Sequence, residues 1–164
     1  MVRIPTVAGD GATLRLAVVR ARFNSDVTER LLQGALATLK EAGVRDDATF
    51  VIEVPGAVEL ALAAELAFDH LAVDAVVCLG AVIRGETSHY DYVCSMTADS
   101  LARLMVERKK PIAFGVLTCD DDDQALARAG GDAGNKGSDA AAVALEMAHL
   151  ARHLARLAPG QGAR

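Results

Sequence analysis

The chain has 164 residues, 52% of them apolar, with no Trp, 2 Tyr and 4 Phe. Its net charge of −5 argues against non-specific nucleic-acid binding, which needs a basic surface. The apolar richness excludes disorder, and no run approaches the ~18 uninterrupted apolar residues of a membrane span.

The elements follow in chain order. Leu14–Val19 (LRLAVV) reads as a short buried strand. Asn24 or Ser25 is suited to cap a helix running to about Ala42, with Gly43 as its stop. Val27, Leu31, Leu32, Ala35 and Leu39 form the apolar face of that helix. Thr49–Val54 is a second strand, ended by Pro55-Gly56, and Val58–His70 favours helix. Asp74–Ile83 is apolar throughout after its first residue, as strands covered on both faces of a parallel sheet are. A turn, RGETSHY, leads to a helix from about Asp91 to Glu107. Ile112–Thr118 is the fourth strand, and Asp120–Ala129 reads as a short helix. After the Gly-rich break GGDAGNKGSD a long Ala-rich helix runs to about Leu157, and the tail PGQGAR is expected to fray.

Strands alternating with helices specify a three-layer α/β sandwich around a parallel sheet. No linker, repeat or low-complexity block interrupts the chain, so one domain is expected over residues 1–164, with 1–12 as an N-terminal arm. The apolar surplus implies a partner, most simply further copies of the chain. Cys78, Cys94 and Cys119 are odd in number and lack a CxxC pair, so reduced, structural thiols are expected. The segment MVRIPTVAGDGA lacks the apolar stretch of a secretory signal, and a cytoplasmic location is expected.

Ligands of such sheets sit beyond the carboxyl ends of the strands, which singles out ARFNS, EVPGAVE, GAVIRGETSHYDY and TCDDDD, and three groups of residues along the chain carry chemistry. The first is Gly80–Tyr92, where a buried strand ends in Arg84-Gly85 and small hydroxyl residues open a helix. The N–H groups of Glu86 and Thr87 with the Thr87 hydroxyl suit a phosphate. His89 stands beside them as a proton-transfer group. A plain strand–helix turn with a surface histidine is the alternative. The second pairs Phe23-Asn24 with Ala57-Val58-Glu59. Phe23 is either a core aromatic or a stacking surface for a flat heterocycle, and Ala57, Val58 and Glu59 suit a pocket wall. The third is Ala127–Gly137, where Arg128 precedes a Gly-rich turn taken as flexible. Arg128 is either a solvated arginine or a phosphate clamp.

In order and spacing the segments RFN, VPGAxE, LGAVIRGETSHYDYV, FGVLT and RAGxxAGNKG resemble the 6,7-dimethyl-8-ribityllumazine synthase family, over roughly Leu14 to Leu150. The resemblance implies a flavodoxin-like α/β/α sandwich with a four-stranded parallel sheet. It implies a transferase of riboflavin biosynthesis that condenses 5-amino-6-(D-ribitylamino)uracil with 3,4-dihydroxy-2-butanone 4-phosphate, with no metal and no organic cofactor. By resemblance Phe23 stacks on the pyrimidine, Ala57, Val58 and Glu59 meet the ribityl chain with Asn24 nearby, and Ala81, Val82 and Ile83 hold the pyrimidine edge. Glu86 and Thr87 receive the phosphate, His89 moves protons, and Phe114 and Arg128 resemble residues contributed by a neighbouring subunit. Phe114 lies inside its strand, badly placed to reach its own chain's crevice. The family assembles as pentamers. The lack of an insertion before the last helix favours closure of twelve pentamers into an icosahedral shell, one that encloses riboflavin synthase in the second reading below. The residues VRIP are suited to extend a neighbour's sheet, within the limit set by Pro5.

Three positions depart from the family's usual residues: Val58, Ala81 and Asp132. They leave open a second reading, a structural shell or a lumazine- or flavin-binding paralogue with weak catalysis. Other candidates are set aside. Gly9-x-Gly11 precedes a strand, whereas a dinucleotide fingerprint follows one. Asp120–Asp123 is explained by helix capping, and His149 with His153 by a solvated helix face.

Overall fold

The computed structural model describes residues 10–157. The expectations for the VRIP arm and for the fraying of PGQGAR lie outside these residues.

Four strands form one parallel sheet in the order β2-β1-β3-β4. They are β1 (Leu16–Ala21), β2 (Thr49–Val54), β3 (Ala75–Ile83) and β4 (Ile112–Cys119). The inner strands β1 and β3 are buried along nearly their whole length, which is why β3 is an unbroken apolar run and β1 is apolar at every position except Arg20. Helices α1 (Ser25–Glu41) and α5 (Lys136–Leu157) cover one face, packing on Leu16, Val18, Val77 and Leu79. Helices α2 (Leu60–His70) and α3 (His89–Arg108) cover the other, over Ala17, Val19, Val76 and Val116. The short α4 (Asp122–Arg128) follows β4. This is a flavodoxin-like three-layer sandwich, and its buried apolar core is aliphatic apart from Phe68, Cys78 and Cys119 among the described residues.

The chain leaves β1 towards edge strand β2 and leaves β3 towards edge strand β4. The connections therefore diverge between β1 and β3, and a crevice opens at that switch point.

Several boundaries differ from the sequence reading, each for a local reason. β1 starts two residues late because Gly11–Thr13 forms a 3-10 turn, and it continues through Arg20 to Ala21. A charged residue reads as a strand end, yet Arg20 is buried and bonded to Glu29 and Glu53 on both sides. α3 opens at His89, not Asp91, because the Thr87 hydroxyl accepts the His89 N–H at 3.3 Å. Asn24 does not cap α1 with its side chain. Asp121 does cap α4, accepting from the Gln124 N–H at 2.8 Å. His153 is exposed as expected, but His149 is half-buried with Nε2 lacking a partner among the described residues.

The Gly-rich segment forms a short antiparallel hairpin, β5 (Ala129–Gly131) and β6 (Gly134–Asn135). Gly130 and Gly134 take φ of 110° and 76°, a region glycine enters freely. Asn135 then starts α5: its Oδ1 accepts from the N–H groups of Gly137 and Ser138 at 2.9 and 3.2 Å. Its Nδ2 donates to the Arg30 carbonyl of α1 at 2.8 Å. A Cβ on Gly137 would lie 2.0 Å from the Leu31 carbonyl oxygen, so α1 and α5 touch backbone to backbone there.

Three ion pairs between distant residues gather at the opposite end of the sheet from the crevice. Asp74, just before β3, accepts from Arg152 Nε at 2.8 Å and from the Arg15 N–H at 2.8 Å. Arg108 at the end of α3 bonds Glu65 and Asp69 of α2. Among the described residues no helix is long and apolar enough to cross a membrane.

Candidate active site

The crevice is a cleft of about 370 Å³. Three connections build it. After β1, the Arg22 and Phe23 N–H groups donate to the Val54 and Pro55 carbonyls at 2.8 and 3.1 Å, which carries the strand pairing beyond the sheet. Phe23 then projects with 71% of its surface exposed, so it is a cleft aromatic and not a core one.

After β2, Gly56, Ala57, Val58 and Glu59 form the next wall. The Glu59 Oε2 accepts from the Gly56 N–H at 2.9 Å, folding the VPGAVE turn onto itself. From β3 come Ala81, Val82 and Ile83 at the floor, then Gly85, Thr87, His89 and Tyr90 along the rim.

This rim has a polar character set by the helix start. The N–H groups of Glu86 and Thr87 find no protein acceptor among the described residues. Space around Gly85 is open, since a Cβ there would meet nothing within 4 Å. Orphan N–H groups at the N-terminus of the 20-residue α3, next to a glycine that leaves room, form an anion-accepting nest. His89 is the first residue of that helix, exposed and lining the cleft. An apolar cleft with the exposed Phe23 plate, the Tyr90 ring, one carboxylate, one imidazole and an anion nest suits a flat heterocycle beside a phosphorylated fragment.

Behind the rim, Arg84 stacks on Tyr90 and bonds Asp120 and Asp91 at 3.0 and 3.4 Å. This arginine is committed to carboxylates and is not a free cation for the nest. Burial pushes the Tyr90 hydroxyl and the Cys94 thiol above their ordinary pKa values.

Of the residues singled out by sequence, the cleft brings together Phe23, Ala57, Val58, Glu59, Ala81, Val82, Ile83, Thr87 and His89. Glu86 borders the nest without its side chain lining the cleft. Asn24 sits behind Phe23 with its amide turned to the Ala81 carbonyl. Phe114 and Arg128 stand elsewhere. Phe114 is 48% exposed on edge strand β4, beside Leu101 and Met105 of α3. Arg128 ends α4, exposed, its guanidinium donating to the Gln124 carbonyl at 3.0 Å. Val93 was missed, yet it follows His89 by one helical turn and shares its face.

A family model described as 6,7-dimethyl-8-ribityllumazine synthase matches residues 13–152. A protein of that name from Bdellovibrio bacteriovorus is 50% identical over 141 residues, covering 86% of this chain and 77% of the relative. A chloroplastic protein of that name from Arabidopsis thaliana is 48% identical over 147 residues, covering 90% of this chain and 64% of the longer plant protein.

Proposed function

The chain belongs to the 6,7-dimethyl-8-ribityllumazine synthase family, and from that premise we propose how its cleft carries the family's reaction. The protein condenses 5-amino-6-(D-ribitylamino)uracil with 3,4-dihydroxy-2-butanone 4-phosphate, releasing phosphate and two waters. One observation carries the reading: the exposed Phe23 ring, the Glu59 wall, the open nest at residues 85–87 and His89 line a single cleft.

Phe23 supplies the plate on which the pyrimidine stacks. The backbone of Ala81, Val82 and Ile83 reads its edge, and Ala57, Val58 and Glu59 face the ribityl chain. The nest amides of Glu86 and Thr87 hold the phosphate. The ring's 5-amine attacks the ketone to give a carbinolamine, which loses water to form an imine. His89 gives a proton to the departing hydroxyl and takes one from the carbon next to the imine. Phosphate leaves by elimination, and attack of the ribityl-bearing amine on the new carbonyl closes the ring with loss of the second water. Holding two substrates together supplies much of the rate. Proton transfer adds typically ~10²–10⁴-fold.

Among the described residues no arginine lines the cleft of one protomer, while Phe114 and Arg128 are exposed away from it. This supports assembly in which a neighbour contributes both, as a pentamer that closes into a 60-subunit shell. Met96 and Val106 of α3, 54% and 71% exposed, give that assembly apolar surface to bury. Light scattering is expected to find the shell mass, and a pentamer alone would reject the shell. Three unbridged cysteines support a reducing compartment, the cytoplasm. Steady-state formation of the fluorescent lumazine from the two substrates tests the activity. An assembled protein that forms none refutes it.

A further inference from the structure

Phe23 is held by little besides its own backbone. With 71% of its surface exposed within one protomer, the chain's own packing does not decide where its ring points, so the conformation of the turn after β1 must. The next residue, Asn24, has φ 56° and ψ 51°, the left-handed region that resists residues with a Cβ and that asparagine tolerates best after glycine.

The Asn24 side chain has a second engagement. Its Nδ2 donates to the Ala81 carbonyl at 2.9 Å. The β1–β3 pairing runs from Leu16↔Ala75 to Arg20↔Leu79 and stops there, as β1 turns away into α1. Ala81 lies beyond the last rung, on the stretch of β3 that lines the cleft floor. The Asn24 amide thus supplies one more rung between two strands that are separating.

We propose that Asn24 is the positioning residue of the cleft: its left-handed turn aims the Phe23 plate, and its amide fixes the Ala81 floor beneath that plate. The two walls that sandwich a flat ring are thereby set relative to one another by one side chain that need not touch the ligand. The inference rests on the lumazine synthase reading above and deepens it.

The test is a double-mutant cycle on the full-length protein. It reads the Kd of 6,7-dimethyl-8-ribityllumazine from its fluorescence, with thermal melting in parallel. Asn24→Ala strains the turn and removes the bond, and should weaken binding about tenfold. Asn24→Gly restores the turn and lacks only the bond, so it should lose about threefold. In the Phe23→Ala background, Asn24→Ala should cost no more than about threefold, because the plate it aims is gone. Effects that multiply fully would mean Asn24 acts independently of Phe23 and would overturn the proposal. So would unchanged affinity in Asn24→Ala with a lowered melting point, the mark of a purely structural residue. Wild-type protein that neither forms nor binds the lumazine would overturn the parent reading and this inference with it. Wild-type binding with unaltered variants overturns the inference alone.

Discussion

The Arg84 guanidinium lies over the Tyr90 ring, 4.0 Å from its centre. One face of Tyr90 is thus covered by a cation while the residue lines the cleft, and the same guanidinium reaches Asp120 beyond β4. Arg84 therefore joins the turn after β3 to the turn after β4 and stiffens the cleft wall between them.

Arg84→Ala should release Tyr90 and raise KM for the pyrimidine several-fold. The cost in stability should be only about 1 kcal/mol, since the side chain is 44% exposed and exposed stacks and ion pairs are weak. Arg84→Lys should not restore KM, because an ammonium cannot stack flat and fork to a carboxylate together. Steady-state kinetics decide this, and full restoration by lysine would refute it.

His89→Ala should lower kcat by about 10²-fold and leave measurable turnover, because positioning is retained when proton transfer is lost. Arg128→Ala should instead raise KM for the phosphorylated ketone by about tenfold with little change for the pyrimidine. Complete loss of turnover in an intact His89→Ala assembly, or an unchanged KM in Arg128→Ala, would contradict these roles.

Gly137→Ala should destabilise by about 3 kcal/mol or more. The added methyl would sit 2.0 Å from the Leu31 carbonyl oxygen, and rigid backbone on both sides leaves only helix separation as relief. Urea unfolding measures the loss, and an unshifted midpoint would show that the helices separate without cost.

Burial pushes the Cys78 thiol up to about 12, against ~8.5 for a thiol in water. Above ~8.5 the unfolded chain gives up this proton and the folded one keeps it. The native state then holds more protons, so stability falls as pH rises. The contribution of Cys78 is intact below ~8.5 and is lost progressively up to about 12. Cys78→Ala should flatten the decline in stability between about pH 9 and 11, measured by urea unfolding. An unchanged slope would place the titration elsewhere, the raised thiols Cys94 and Cys119 being next.

The strand–helix order and the cleft walls were legible because each is written locally. The apolar run at residues 75–83 has the length and composition of an inner parallel strand, and the small hydroxyl residues of GETSH announce a helix close behind. What was not legible depended on distant partners. Arg20 ended the expected strand because nothing in LRLAVVRA announces Glu29 and Glu53. The glycines of AGGDAGNKG read as freedom, yet Gly137 serves close approach to Leu31 and Asn135 reaches Arg30, over 100 residues away. Asn24 read as a cap because capping is a local habit of asparagine, while its actual acceptor, Ala81, is 57 residues on.

The ion pairs of Asp74 with Arg152 and of Arg108 with Glu65 and Asp69 lie at the amino ends of the strands, the cleft at their carboxyl ends. These pairs brace the pole away from the chemistry, while Arg84 ties the turns at the cleft pole. Side chains such as Phe23 and His89 carry almost none of the folding free energy, so most of the substrate-facing pole is free to vary while the chain still folds. Selection, or a designer, has room to retune the ligand there without first rebuilding the scaffold.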